Sequence, residues 1–267
     1  MTATAATATT TAPASTALSR MLALGRAETT LLLRNRTALF TALVLPPLMT
    51  VALSEPIKEQ GKNSPGVSAA ALVVTGLLGL LPLFVVYYNL TAAYVARRGE
   101  LVLKRMRTGE ARDAEILGGS ALPSLLLSLT LSVVLCAAAA LLMDLPAPSD
   151  PVRVVLGVLL GLVVLVPLAA LSSIITKTVE SSGLTTLPLL LISQFGSGMI
   201  IPLDSMPDQF ATFCRLLPTT PAVQLVREGW TGTTGWGEAL PQLGLAVAWT
   251  LVAGWAALRW FRWEPRR

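Results

Sequence analysis

An acyl-transfer site would be built on a hydroxyl or thiol such as Ser197, Cys136 or Cys214, with a histidine beside it as general base. The 267 residues include no histidine, which removes that chemistry together with the commonest metal ligand. Cys136 falls within an apolar run and Cys214 in a polar loop, so neither a disulfide between them nor a metal site is expected. Asp144, Asp150, Asp204 and Asp208 are isolated in expected outer loops and form no cluster of the kind metal-dependent lipid transferases need. The one Gly-Lys pair, Gly61-Lys62, is followed by Asn63 and lacks the earlier glycine of a phosphate-cradling loop, so no nucleotide site is expected on this chain. Uncharged polar side chains do lie inside the apolar runs, Asn89 in one and Gln194 in another. Such groups are costly against lipid and must face protein or a cavity, most often where they join helices.

The elements that position these residues follow from composition. The chain is 53% hydrophobic and only 13% charged, with mean hydropathy +0.67. A soluble domain needs roughly a quarter charged residues, so lipid must cover this surface. Uncharged runs at 37–54, 67–96, 116–143, 154–176, 181–203 and 239–258 reach or approach the ~20 residues that span a bilayer. Without strand-like alternation they are expected to be helices, because every backbone amide in lipid must be satisfied within the segment. The fold class expected is an all-α integral membrane protein with six transmembrane helices. Residues 1–17, almost entirely Thr and Ala, read as a disordered cytoplasmic tail rather than a secretory leader. Residues 18–36 have helical periodicity, with Leu18, Met21, Leu22, Leu32 and Leu33 on one side, and read as an interfacial amphipathic helix. A single six-helix transmembrane domain would then occupy 18–267.

Positive charge sets the orientation. With the N-terminus inside, 15 of the 20 Lys and Arg residues lie on the cytoplasmic side, and only Lys58, Lys62, Arg153, Arg215 and Arg227 lie outside. Both termini are therefore expected in the cytoplasm. The net charge of +5 reads as membrane orientation, with no nucleic acid partner implied. Trp260 and Trp263 fit an aromatic belt at the inner end of the last span.

Two loops are longer than chain reversal requires. The inner loop 97–116, Arg-Arg-Gly-Glu-Leu-Val-Leu-Lys-Arg-Met-Arg-Thr at its start, mixes both charge signs with Leu101, Leu103 and Met106, which suggests a short helix lying against something; a solvated positive-inside loop is the alternative. The outer segment 204–238 is punctuated by Pro207, Pro218 and Pro221 between apolar stretches too short to span, and reads as re-entrant or extracellular helices between spans five and six. Gly157 and Gly161 form a helix-packing G-x-x-x-G for which the sequence names no partner.

At these two loops the chain resembles the type-2 ABC exporter permeases, the family that includes membrane subunits of bacterial antibiotic exporters of the daunorubicin-resistance type. Arg98-Gly99-Glu100-Leu101, Leu103, Thr108 and Ile116-Leu117-Gly118 occupy the family's inner-loop pattern. Thr108 is followed by Gly109 where the family has Pro, and the tetrapeptide lacks its Thr. The outer signature is matched by Ser197-Gly198, Pro202, Met206-Pro207, Leu217-Pro218 and Arg227. The resemblance implies a permease that pairs with a second permease subunit and moves an amphiphilic or hydrophobic molecule outward. A separate ATPase subunit would bind ATP and Mg, with no cofactor on this chain. It implies ATPase coupling through Gly99, Glu100, Leu101, Leu103, Met106 and Thr108, an extracellular motif at Gly198, Pro202, Pro207, Pro218 and Arg227, and a substrate pathway beside Tyr87, Asn89, Gln194, Phe195 and Ser197. Arg outnumbers Lys 16 to 4, which points to a GC-rich bacterial source and hence a bacterial plasma membrane. A secondary transporter would carry charge within its spans, and none is there; a non-transporting regulatory membrane subunit is the remaining alternative.

Overall fold

The computed structural model describes residues 40, 68–108, 112–142 and 145–264, and every regular element among them is helical. The expected tail at 1–17, interfacial helix at 18–36 and, apart from Phe40, first span at 37–54 lie outside the described residues. Helix α1 (Ala69–Pro82) runs into a π-helical segment (Leu83–Tyr88) and then α2 (Asn89–Gly99); α3 (Val102–Arg107) is short; α4 (Asp113–Leu142), α5 (Pro151–Ile175) and α6 (Ser182–Gly196) follow. A 3-10 turn (Leu203–Ser205), α7 (Asp208–Arg215), α8 (Thr220–Thr231) and α9 (Trp236–Trp260) complete the chain.

Four helices among the described residues are long and apolar enough to cross a membrane: Ala70–Gly99, Asp113–Leu141, Pro151–Ile175 and Trp236–Trp260. In its most apolar 18-residue stretch the first is 89% buried within the protein, against only 22% in the corresponding stretches of the second and last. Burial of that degree makes α1–α2 the axis of the bundle and α4 and α9 its lipid-facing walls. Leu126, Val133, Val134, Leu251, Val252 and Trp255 stand exposed on those walls, apolar side chains suited to a hydrocarbon surrounding.

The expected fifth span is shorter than its apolar run. Helix α6 has 15 residues, about 22 Å at 1.5 Å per residue, against a hydrocarbon thickness of about 30 Å. Gly198 has φ +80°, a left-handed conformation that stops helical propagation, and Pro202 follows. The non-helical backbone beyond Gly196 is tolerated because Ser197, Met199 and Ile200 are buried in protein.

Helix α8 shows why the core forms where it does. Pro221 lies in its first turn and Gly232, at φ +67°, ends it. This 12-residue helix packs chiefly on α5, and also on α1 and α9. Its contact with α5 is the G-x-x-x-G: a Cβ at Gly157 would stand 2.8 Å from Val226 Cγ2 and 2.9 Å from both Ala222 O and Val226 N. Across from them Gly229 admits Arg153 Cβ and Val154. The small residues let two backbones approach, so the pattern closes an intrachain contact.

Candidate functional site

The end of the bundle carrying α3 is built around buried arginine and aromatic side chains. Arg98, in the last turn of α2, is buried and donates Nη1 to Ser173 O at 2.8 Å and Nη2 to Thr176 O at 2.6 Å. It thereby satisfies carbonyls at the C-terminus of α5 and neutralises the negative end of that helix. Tyr94, one turn earlier, donates its hydroxyl to Leu117 O at 2.8 Å. Immediately after Arg98 the chain reverses through Gly99 and Glu100 into Leu101, whose φ of +59° is the only positive value at a non-glycine among the described residues. A leucine held there is strained by about 1–2 kcal/mol, and that conformation turns the chain into α3.

Helix α3 divides the residues expected to couple to an ATPase. Leu103 is 0% exposed and belongs to the main core cluster, with Met106 packed against it. Leu101 is 39% exposed, and Glu100, Lys104, Arg105 and Thr108 are also exposed. The buried leucine therefore anchors the helix, and an apolar side chain ringed by charge remains on its outer surface. No atom lies within 4 Å of where a Cβ on Gly99 would be.

The expected pathway residues do not converge. Tyr87 lies in the π segment, fully buried, with its hydroxyl 2.8 Å from Ser172 Oγ. Asn89 and Gln194 are buried, whereas Phe195 is 47% exposed on α6. Ser197 lies near the far end of the bundle, its hydroxyl hydrogen-bonded to Thr219 at 2.5 Å. The π segment follows Pro82, whose missing N–H already breaks the regular ladder, and it re-aims Tyr87 and Tyr88 relative to an ideal helix.

The outer motif, in contrast, comes together. Arg227 is buried and donates Nη2 to Met199 O at 3.3 Å, which ties α8 to the turn after Gly198. Thr220 Oγ1 donates to Cys214 O at 2.6 Å, so the turn at Leu217-Pro218 is closed from within. Pro202 and Arg227 both line a cleft of about 550 Å³ between α7, α8 and α9, whereas Pro207 caps α7 outside it.

Beside that cleft is a network the sequence did not single out. Arg153, 2% exposed at its side chain, donates to Glu228 Oε2 at 2.5 Å and to Thr234 O at 2.8 Å. Thr234 Oγ1 donates to Glu228 Oε2 and Gln242 Nε2 to Glu228 Oε1, the latter at 2.9 Å. Asp150 caps the same end of α5 by accepting from Arg153 N at 3.1 Å. A charge placed at each of two helix ends, Arg153 and Glu228, was the available signal; counting Arg153 only as an outer-loop cation hid it. Cys214, expected in a polar loop, is 1% exposed on the inner side of α7, and burial pushes its thiol pKa up.

Among the described residues these features define a helical, multi-pass membrane protein whose buried polar side chains largely join helices, with the short, exposed helix α3 at one end of the bundle. The family model described as ABC-2 family transporter protein matches residues 2–259, and the chain belongs to that family. It is accordingly a membrane permease of an ABC transporter, a transport subunit that works with an ATP-binding subunit. No curated protein matched the chain.

Proposed function

We propose that the chain is the permease of an ATP-driven exporter that carries an amphiphilic or hydrophobic molecule outward across a bacterial plasma membrane, with ATP and Mg bound and hydrolysed on a separate subunit. The observation that carries this reading is α3: its buried Leu103 fixes it to the bundle, while Leu101, Glu100, Lys104 and Arg105 form an exposed surface suited to an ATPase groove. The middle turns of the four described spans carry no charged side chain, which favours a neutral or amphiphilic cargo over a small ion.

Six spans with both termini inside, an interfacial helix at 18–36 and pairing with a second permease complete the proposal. Leu184, Leu187, Leu191 and Phe195 form an exposed stripe at helical spacing on α6, which we assign to the second permease subunit. Phe195 is then the pathway residue best placed at that seam, with Gln194 and Asn89 buried within the chain, while Tyr87 and Ser197 hold helices together.

The test is gentle purification followed by a search for an ATPase that accompanies the chain, with ATP hydrolysis measured as Leu101 and Leu103 are varied. Leu101→Asp is expected to abolish association without unfolding the permease; Leu103→Ala, which empties a core position, is expected to cost about 2–5 kcal/mol of stability. If Leu101→Asp combined with Glu100→Arg leaves both association and hydrolysis intact, α3 does not couple the chain to an ATPase.

A further inference from the structure

Helix α9 does not simply end at Trp260. Phe261 takes extended dihedrals (φ −58°, ψ 131°) and its N–H closes the helix on Ala257 O at 2.8 Å, so the chain turns back beneath the bundle. Phe261 and Trp263 are buried, so of the two tryptophans expected in an aromatic belt at the inner end of the last span only Trp260 is exposed. The Phe261 ring meets Tyr94 of α2 edge-on at 5.9 Å and Trp263 at 5.0 Å.

The same short segment grips α3. Arg107 sets its guanidinium 5.0 Å from the centre of the Trp263 ring, and Lys104 Nζ lies 2.6 Å from Glu264 Oε1. Lys104 and Arg107 are one turn apart on the same helical face. Both cations of that face are thus held by the tail of the last span, while Leu103 is buried in the cluster that includes Phe261 and Trp263.

We infer that residues 261–264 are a strap that joins α3 to α9, with Trp263 as the positioning residue, so that a displacement of α3 is delivered to the last span. The strap rests on the proposed coupling role of α3. A tail that merely sealed the bundle would need the buried rings of Phe261 and Trp263 but not Glu264 on Lys104 or a ring face on Arg107. Among the described residues α3 is also tied forward, by Arg107 to Asp113 Oδ1 at 3.1 Å, so it is held between the start of α4 and the end of α9.

The test uses the full chain in lipid nanodiscs with Cys136 and Cys214 replaced by Ala and a nitroxide placed on Arg105→Cys or, separately, on Leu258→Cys. Without nucleotide, Trp263→Ala is expected to raise the population of mobile α3 label at least about fivefold, the factor supplied by losing one cation–π contact, with the lost packing on Phe261 adding to it. Trp263→Phe should lie between the two. Lys104→Glu and Glu264→Lys should each loosen α3, and the two together should restore it. Mobility at Arg105→Cys that is unmoved by Trp263→Ala and by both charge reversals overturns the strap.

With the accompanying ATPase and ATP, both labels are expected to respond in the unaltered strap. In Trp263→Ala only the label on α3 should respond. A response at Leu258→Cys that survives both Trp263→Ala and Glu264→Lys also overturns the strap. Silence at Arg105→Cys with the strap unaltered, in a preparation where the ATPase still accompanies the labelled chain, instead refutes the coupling role of α3, while the nucleotide-free measurement still decides whether the strap holds it.

Discussion

Replacing Gly157 by Ala adds one methyl group at the closest approach of α5 and α8. That Cβ would meet Val226 Cγ2 at 2.8 Å, Ala222 O at 2.9 Å and Val226 N at 2.9 Å. Carbon contacts relax near 3.5–4.0 Å, and two of the three obstacles are backbone atoms that no rotamer change can move. Helix α8 must therefore shift by about 0.5–1 Å, an overpacking cost of about 1–3 kcal/mol. The gain in helix propensity from Gly to Ala returns up to about 1 kcal/mol, leaving a net loss of about 0–2 kcal/mol. Two controls lie in helices of the same bundle. At Gly161 the nearest atom is Ala222 Cβ at 3.3 Å, so overpacking and propensity nearly cancel. At Gly254 nothing lies within 4 Å, so Ala should be neutral or stabilising by up to about 1 kcal/mol. Unfolding in mixed detergent and SDS, followed by tryptophan fluorescence, should rank the variants Gly254→Ala above Gly161→Ala above Gly157→Ala. Adding Val226→Ala to Gly157→Ala should recover only part of the loss, because it removes one obstacle of the three. If Gly157→Ala unfolds at the same midpoint as Gly254→Ala, the close approach of α5 and α8 is wrong.

Arg153→Met is expected to cost about 3–5 kcal/mol, because it leaves Glu228 partly buried without its cation; Arg153→Met with Glu228→Gln should recover part of that, and equal unfolding midpoints for the single and double variants would refute the pairing. Cys214 is buried and its thiol pKa raised, so a membrane-impermeant maleimide near neutral pH should react with it at least about tenfold more slowly than with Phe213→Cys, an exposed neighbour on the same helix. Comparable labelling rates at the two positions would show that α7 does not pack as described.

Much of the architecture was legible because lipid is a stringent solvent. Uncharged runs without strand-like alternation announced the helices that became α1–α2, α4, α5 and α9, and the two loops that carried the family resemblance contain α3 and α8. The fifth run was misjudged in length. An apolar composition continues past Gly196, and nothing in hydropathy shows that Gly198 takes φ +80° and stops the helix there. Leu101 and Leu103 are alike in sequence, yet one is exposed and the other is core. Arg98 and Arg153 counted equally as markers of topology, although both are buried, one on the carbonyls that end α5 and the other on Glu228.

By itself the sequence determined that this is a membrane-embedded helical protein, where its apolar segments lie along the chain, and that it carries no histidine and no phosphate-cradling loop. Those properties depend on how each local stretch partitions between water and hydrocarbon, which composition and run length already contain. Only the tertiary structure decided that Gly157 and Gly161 receive α8, that Trp263 lies under Arg107, and which leucine of α3 faces outward. Each of those depends on the fit of side chains far apart in the chain, and a contact between distant segments leaves no periodicity in either one alone.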